Sequence, residues 1–192
     1  MQTHDFWIVS EAQAAWELTP ADSEPTLVLV AAHTNLLNAW DRVRKNQGAP
    51  GVDGVSISDL EPQFPGLAHE LGKSLLAGVY HPQPVRRIEV PKPSGGWRKL
   101  GIPTVIDRTV QQAILQVLRP VFEPHFSPYS FAYRPGRGPL DAVRHLQQRI
   151  SPDSSWILHG DVEDFFDSVP HRQILAAMAA KVKDPALFGL VQ

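Results

Sequence analysis

PVRRIEVPKPSGGWRKLGIPTVIDR, residues 84–108, holds two extended runs, Val85–Val90 and Trp97–Ile102, joined by the Gly-rich connection PKPSGG. Two short runs with such a link predict a β-hairpin. Thr104 follows at once, with Asp107 three residues on, which is the spacing of a helix N-terminal cap. Ile106, Val110, Ala113, Ile114, Val117, Leu118 and Val121 then recur at helical spacing and give that helix one apolar face. A hairpin running straight into a long amphipathic helix is the centre from which the rest of the chain is assigned.

Upstream, Leu36, Leu37, Trp40 and Val43 repeat at helical spacing, and Gly48 is a natural stop. GAPGVDG, 48–54, is a tight turn region, and a second helix covers 65–77, ending at Gly78. Further back, Ser10 and Gln13 have capping-box spacing for a short helix to about Leu18, with a loop from Pro20 to Pro25. Downstream, Gly138-Pro139 opens another helix, because proline suits the first turn. Its expected buried face is Leu140, Val143, Leu146 and Ile150. Trp156-Ile157-Leu158 is a short apolar run read as a buried strand, and Ser168 is expected to cap a last helix through about Val182. The order of helices, hairpin, helices, strand and helix defines an α+β chain.

At 192 residues the chain is long enough to bury a core without a covalent staple. Its 43% hydrophobic and 20% charged residues are those of a globular protein. Cysteine is absent, which excludes a disulfide scaffold and a Cys-based zinc site. The start MQTHDFW has no signal-peptide pattern, and the longest apolar run, LVLVAA at 27–32, is far short of a membrane span, so a cytosolic protein is the expectation. The net charge of −2 conceals an asymmetry. Residues 72–149 carry 12 basic and 4 acidic side chains between flanks with an acidic excess. A basic middle of this kind attracts a polyanion, although a merely solvated surface has the same composition. Ten of the 18 prolines lie between 82 and 139, which argues for rigid turns between short elements.

GDVEDFFDSVPH, 160–171, is the densest candidate for chemistry. Asp161, Asp164 and Asp167 surround two aromatics. A carboxylate at the carboxyl end of a buried strand suits Mg²⁺, which takes a few oxygen ligands and leaves the rest to substrate phosphates and water. Equally, Asp167 beside Ser168 caps a helix and Asp164 is solvated. Lys92, Arg98 and Lys99, with Arg86 and Arg87 on the first strand, give the hairpin the charge to hold phosphate, or simply to keep a sheet edge in solution. In YRPGR, 133–137, a Pro-Gly turn holds Arg134 and Arg137 apart. Histidines lack metal-ligand spacing, and no GxSxG, P-loop or GxGxxG motif occurs.

The blocks GAPGVDG (48–54), PVRRIEVPKPSGGWRKLGIPTVIDR (84–108), VQQAILQVLRPVFEPHFSPYSFAYRPGRG (110–138) and GDVEDFFDSVPH (160–171) occur in the order found in group II intron-type reverse transcriptases. The chain resembles the N-terminal part of that family over about residues 33–190. The resemblance implies the fingers and the start of the palm of a right-hand polymerase. Residues 1–32 would be an extension of unknown role, 33–152 the fingers, and 153–192 the first part of the palm. It implies RNA-directed DNA synthesis: nucleotidyl transfer from a dNTP to a DNA primer on an RNA template, with Mg²⁺ as cofactor. Asp161 would be the first catalytic aspartate and would hold the metal together with the Val162 carbonyl. Phe166 matches the steric gate that selects deoxynucleotides. Lys92 and Arg98 match the residues that bind the incoming triphosphate. Arg134, Pro135, Gly136 and Arg137 would line the template path, and Arg86 and Arg87 would touch strand backbone without reading sequence.

The family also needs an aromatic-x-Asp-Asp block, and no Asp-Asp pair occurs in these 192 residues. The expectation is therefore that this chain does not polymerise by itself. It is read as a fragment or truncated form of a longer enzyme, as one piece of a split enzyme whose second polypeptide supplies the rest of palm and thumb, or as a non-catalytic RNA-binding module derived from a reverse transcriptase.

Overall fold

The computed structural model describes residues 24–93, 95–151, 156, 158–162 and 165–192. The capping box at Ser10 and its short helix lie outside the described residues. The described elements are α1 (Leu27–Ala31), α2 (His33–Lys45), α3 (Ile57–Leu60), α4 (Phe64–Leu76), β1 (Arg86–Pro91), β2 (Trp97–Ile102), α5 (Val105–Phe122), a 3-10 turn (Glu123–His125), α6 (Pro139–Gln147), α7 (Phe165–Ser168), α8 (His171–Ala179) and α9 (Pro185–Val191). Helices with a small antiparallel hairpin form the mixed α+β architecture expected of the sequence.

The core is a layer of α2, α4 and α5, closed by α1 and α9. Leu36, Ala39, Trp40 and Val43 of α2 are buried against Val110, Ala113 and Val117 of α5 and Phe64, Ala68, Leu71 and Leu75 of α4. Trp40 and Phe64 stack face to face with centroids 4.1 Å apart. A polar clamp sits within this apolar packing. The Asn35 amide donates to the Val30 and Ala113 carbonyls, and the Gln116 amide donates back to the Asn35 Oδ1 at 2.7 Å. Asp184 caps α9 and also accepts from the Leu27 N–H at 2.6 Å, joining the two ends of the described chain. Residues on both sides of the expected divisions, Leu27 and Val30 at one end and Val182 and Leu187 at the other, thus share one core.

The helices α4 and α5 form where the pattern places them. Gly78 ends the α4 segment with φ +68, and its N–H and that of Val79 return to the Leu75 and Ser74 carbonyls. Thr104 caps α5, accepting from the Asp107 N–H at 3.0 Å. The stop after α2 differs from expectation. Gln47, not Gly48, takes the left-handed conformation (φ +46). Gly48 lies against the Arg108 guanidinium: a Cβ there would stand 2.1 Å from Arg108 Nη1, and that side chain would have to shift.

Three further expectations are corrected. α6 forms, but Leu140 is 69% exposed and Val143, Leu146 and Ile150 are also exposed, not buried. A helix can be set by its N-terminal proline and by Asp141 accepting from the Gly138 N–H, whereas burial of its apolar side needs a facing element. Trp156 and Leu158 are 94% and 98% exposed and lie outside any strand. A strand needs a neighbour for its backbone groups, and among the described residues the one sheet is the β1–β2 pair. Ser168 does not cap the last helices. Its hydroxyl donates to the Phe165 carbonyl at the end of α7, while Pro170 precedes α8 and Asp184 caps α9.

Candidate nucleotide and nucleic-acid interface

The hairpin sorts its basic residues by the two-residue period of a strand. Arg86 pairs with Ile102, Ile88 with Leu100 and Val90 with Arg98, so Arg86 and Arg98 share a face with four apolar side chains. Arg87, opposite Gly101, and Lys99, opposite Glu89, lie on the other face. The cluster of Lys92, Arg98 and Lys99 is therefore divided, with Lys92 at the turn. The Lys92 N–H donates to the Gly96 carbonyl at 2.9 Å, and Gly95 and Gly96 take φ +88 and +82, which only glycine adopts without cost. Lys92, Arg98 and Arg87 are exposed; Arg86 is half-buried.

The base of the hairpin is tightly organised. Asp107 is 3% exposed. One carboxylate oxygen accepts from the Tyr80 hydroxyl at 2.5 Å; the other accepts from the Thr104 hydroxyl at 2.6 Å and from the Gln83 N–H at 3.2 Å. Burial, reinforced by the bond to Asp107, pushes the Tyr80 phenol pKa well up, so this proton stays in place. GAPGVDG packs alongside: Gly51 lies so near the Thr104 backbone that a Cβ would come within 2.6 Å of it. The Arg108 guanidinium donates to the Ala49 carbonyl at 2.8 Å, and its half-burial lowers its pKa against the opposing pull of Asp53. Tyr80 carries no signal in the sequence, and Asp107 reads only as a cap; the Asp107–Thr104 spacing signals the cap, but nothing local signals the two long-range donors.

In the YRPGR block the two arginines act differently. Arg134 is 8% exposed. It pairs with Glu123 at 2.7 Å and donates to the Ser127, Ser130 and Glu123 carbonyls. Its donors are spent holding its own loop. Arg137 is half-buried, donates to the Pro128 carbonyl at 2.6 Å, and stands over the Phe131 ring. The two meet at the Ser130 carbonyl, which accepts from both. Between them, Pro135 is half-buried and Gly136 is exposed with φ +65. Tyr133, 75% exposed with φ +57, is a non-glycine residue held in the left-handed region by this anchored loop.

Asp161 and Val162 are exposed and lie in irregular chain ahead of α7. Phe166, on α7, is exposed and packs edge-on against Phe165 at 5.4 Å. Asp164 and the side chain of Asp167 lie outside the described residues. Among the described residues no three His, Asp or Glu side chains gather to hold a metal ion. Asp161 and Phe166 stand on a different part of the chain from the hairpin residues Lys92 and Arg98. No helix among the described residues is long and apolar enough to cross a membrane.

Residues 90–188, which include β2, the capped α5, YRPGR and Asp161, match the family described as reverse transcriptase (RNA-dependent DNA polymerase). The chain belongs to the reverse transcriptase family. Its relatives place it within the group II intron type. It is 33% identical over 158 residues to the group II intron-encoded protein LtrA of Lactococcus lactis, covering 80% of this chain and 25% of that protein. It is 32% identical over 195 residues to protein YkfC of Escherichia coli, covering 96% of this chain and 51% of the relative. A 91 kDa protein in the cob intron of Schizosaccharomyces pombe is 30% identical over 156 residues, 81% of this chain and 19% of that protein. The chain spans about half the length of YkfC and a quarter or less of the two intron proteins.

Proposed function

We propose that the chain is the N-terminal part of an RNA-directed DNA polymerase, with fingers over 33–152 and the start of the palm over 153–192. The observation that carries this is the basic hairpin, held at its base by buried polar bonds, inside a chain of the reverse transcriptase family. Lys92 at the turn and Arg98 beside it bind the triphosphate of an incoming dNTP, Lys as a point charge and Arg through its planar fork. Arg86, Arg87 and Arg137 contact the backbone of template RNA or primer. Pro135 and Gly136 shape that path, and Arg134 fixes the loop that carries Arg137. Phe166 is the gate that excludes a ribose 2′-hydroxyl.

The donors at Asp161 fit a hard divalent cation. Its carboxylate is exposed, and the Val162 carbonyl follows it directly. These two groups would hold Mg²⁺, which when bound stabilises charge on the attacking and leaving oxygens. The chain's own part is to bind and orient the triphosphate and to keep the primer end beside it. The remaining carboxylates belong to an aromatic-x-Asp-Asp block on the rest of the enzyme.

The test is primer extension on an RNA template by this chain, alone and supplied with the palm segment bearing that block. Asp161→Ala is expected to abolish metal-dependent incorporation and to leave RNA binding intact. Synthesis that survives Asp161→Ala refutes the assignment. RNA binding that depends on Arg137, with no synthesis in either combination, establishes the binding-module reading instead.

A further inference from the structure

The hairpin joins the rest of the fold at its base. It is entered from the linker after α4, through Tyr80 and Gln83, and left through Pro103 into the Thr104 cap of α5. One buried carboxylate contacts both sides. Asp107 accepts from the Tyr80 hydroxyl and the Gln83 N–H on the incoming side, and from the Thr104 hydroxyl on the outgoing side. A helix cap requires only the Thr104–Asp107 exchange. The two additional donors come from residues 24 and 27 positions away. Those donors do nothing for the helix terminus. What they fix is where β1 starts relative to the first turn of α5.

We propose that Asp107 and Tyr80 are positioning residues that set the angle of the β1–β2 hairpin and thereby the placement of Lys92 and Arg98 on a triphosphate; this rests on the phosphate-binding role given to those two residues above. Ile88, Val90, Leu100 and Ile102 of the hairpin are only half-buried, and the pair is a two-stranded sheet, which is marginal without outside contacts. Rotation about its base displaces the turn, which lies about five residues or roughly 17 Å along the strand. A small angular error at Asp107 is therefore enlarged where the phosphates bind. Because the Tyr80 proton is held firmly, the bond that fixes the angle persists at alkaline pH.

Isothermal titration of the 192-residue chain with Mg·dGTP, and with inorganic tripolyphosphate, tests this. Tyr80→Phe removes one hydroxyl and keeps the ring, so the core is undisturbed. It is expected to weaken triphosphate binding roughly fivefold, the effect of losing one largely buried hydrogen bond. Affinity for single-stranded RNA should fall less than triphosphate affinity, because Arg86 and Arg87 lie at the base of the hairpin, where the same rotation moves them little, and Arg137 lies off it; amide exchange along Ile88–Val90 and Leu100–Ile102 should quicken. Asp107→Asn keeps one acceptor oxygen and should fall between wild type and Asp107→Ala. A purely structural role would weaken RNA and triphosphate binding equally and quicken exchange in the core helices as much as in the hairpin, and would refute the inference. Lys92→Ala and Arg98→Ala separate the two levels. If both weaken triphosphate binding while Tyr80→Phe leaves it within twofold, the positioning role is wrong and the phosphate-binding role stands. If neither does, or if the wild type does not bind triphosphate, the phosphate-binding role is wrong and the positioning role falls with it.

Discussion

Replacing Gly51 with alanine probes the contact that seats the GAPGVDG turn on the start of α5. An alanine Cβ would lie 2.6 Å from both Thr104 Cα and N, and 2.9 Å from the Pro103 carbonyl carbon. Non-bonded carbons rest about 3.5–4.0 Å apart, so the overlap is roughly 1 Å against three backbone atoms. Backbone cannot rotate away as a side chain can, so the turn or the helix cap must move. Overpacking of this kind costs about 1–3 kcal/mol. For a chain of this size each kcal/mol shifts the melting midpoint by about 2–4 °C, which gives a fall of roughly 2–12 °C. Gly66 is the internal control. It lies exposed in the first turns of α4 with nothing within 4 Å of a Cβ. Alanine there removes unfolded-chain freedom and should stabilise by about 0.4–1 kcal/mol. Thermal denaturation followed by circular dichroism at 222 nm reads both. A Gly51→Ala midpoint within a degree of wild type, or above it, refutes the close-approach argument, as does a loss of stability in Gly66→Ala.

Other outcomes follow from the same geometry. Leu36→Ala in the fully buried seam between α2 and α5 should cost about 2–5 kcal/mol in urea unfolding, while Leu140→Ala on the exposed side of α6 should cost under about 0.5 kcal/mol. Arg134→Ala leaves Glu123 and three carbonyls without their partner and should destabilise the 123–137 loop by about 2–4 kcal/mol, seen as faster limited proteolysis there; Arg137→Ala loses the bonds to the Pro128 and Ser130 carbonyls but no buried ion pair, and should loosen the loop less while weakening RNA binding. Hydrogen bonds from the Leu27, Ala186 and Leu187 N–H groups hold the Asp184 carboxyl below its ordinary 3.8. Its contribution is thus present above pH 4 and is lost as the pH falls through the depressed value. Asp184→Asn should flatten the acid limb of the melting curve relative to wild type. RNA affinity should fall steeply with salt, and Arg87→Ala should lower the log–log salt slope by about 1.

The sequence by itself determined the elements whose signals are local. Thr104 and Asp107 mark the start of α5, Gly78 ends α4, and PKPSGG closes the hairpin, because each of these depends on residues within one turn of each other. It also determined the family, since the ordered blocks survive in the linear chain. Tertiary structure decided what each residue serves. Gly48 reads as a helix stop, but Gln47 takes the left-handed turn and Gly48 lies against the Arg108 guanidinium. Arg134 reads as part of the template path and spends its guanidinium on Glu123 and its own loop. Asp107 reads as a cap and also anchors the hairpin. The apolar faces of α6 and of Trp156 and Leu158 read as core, because periodicity reports which side of an element is apolar; whether that side is covered depends on what the rest of the fold brings opposite it. Local signals set conformation through bonds between near neighbours, whereas burial and the sharing of a donor or acceptor are settled by residues beyond one helical turn and up to 157 positions apart, whose meeting no local pattern encodes.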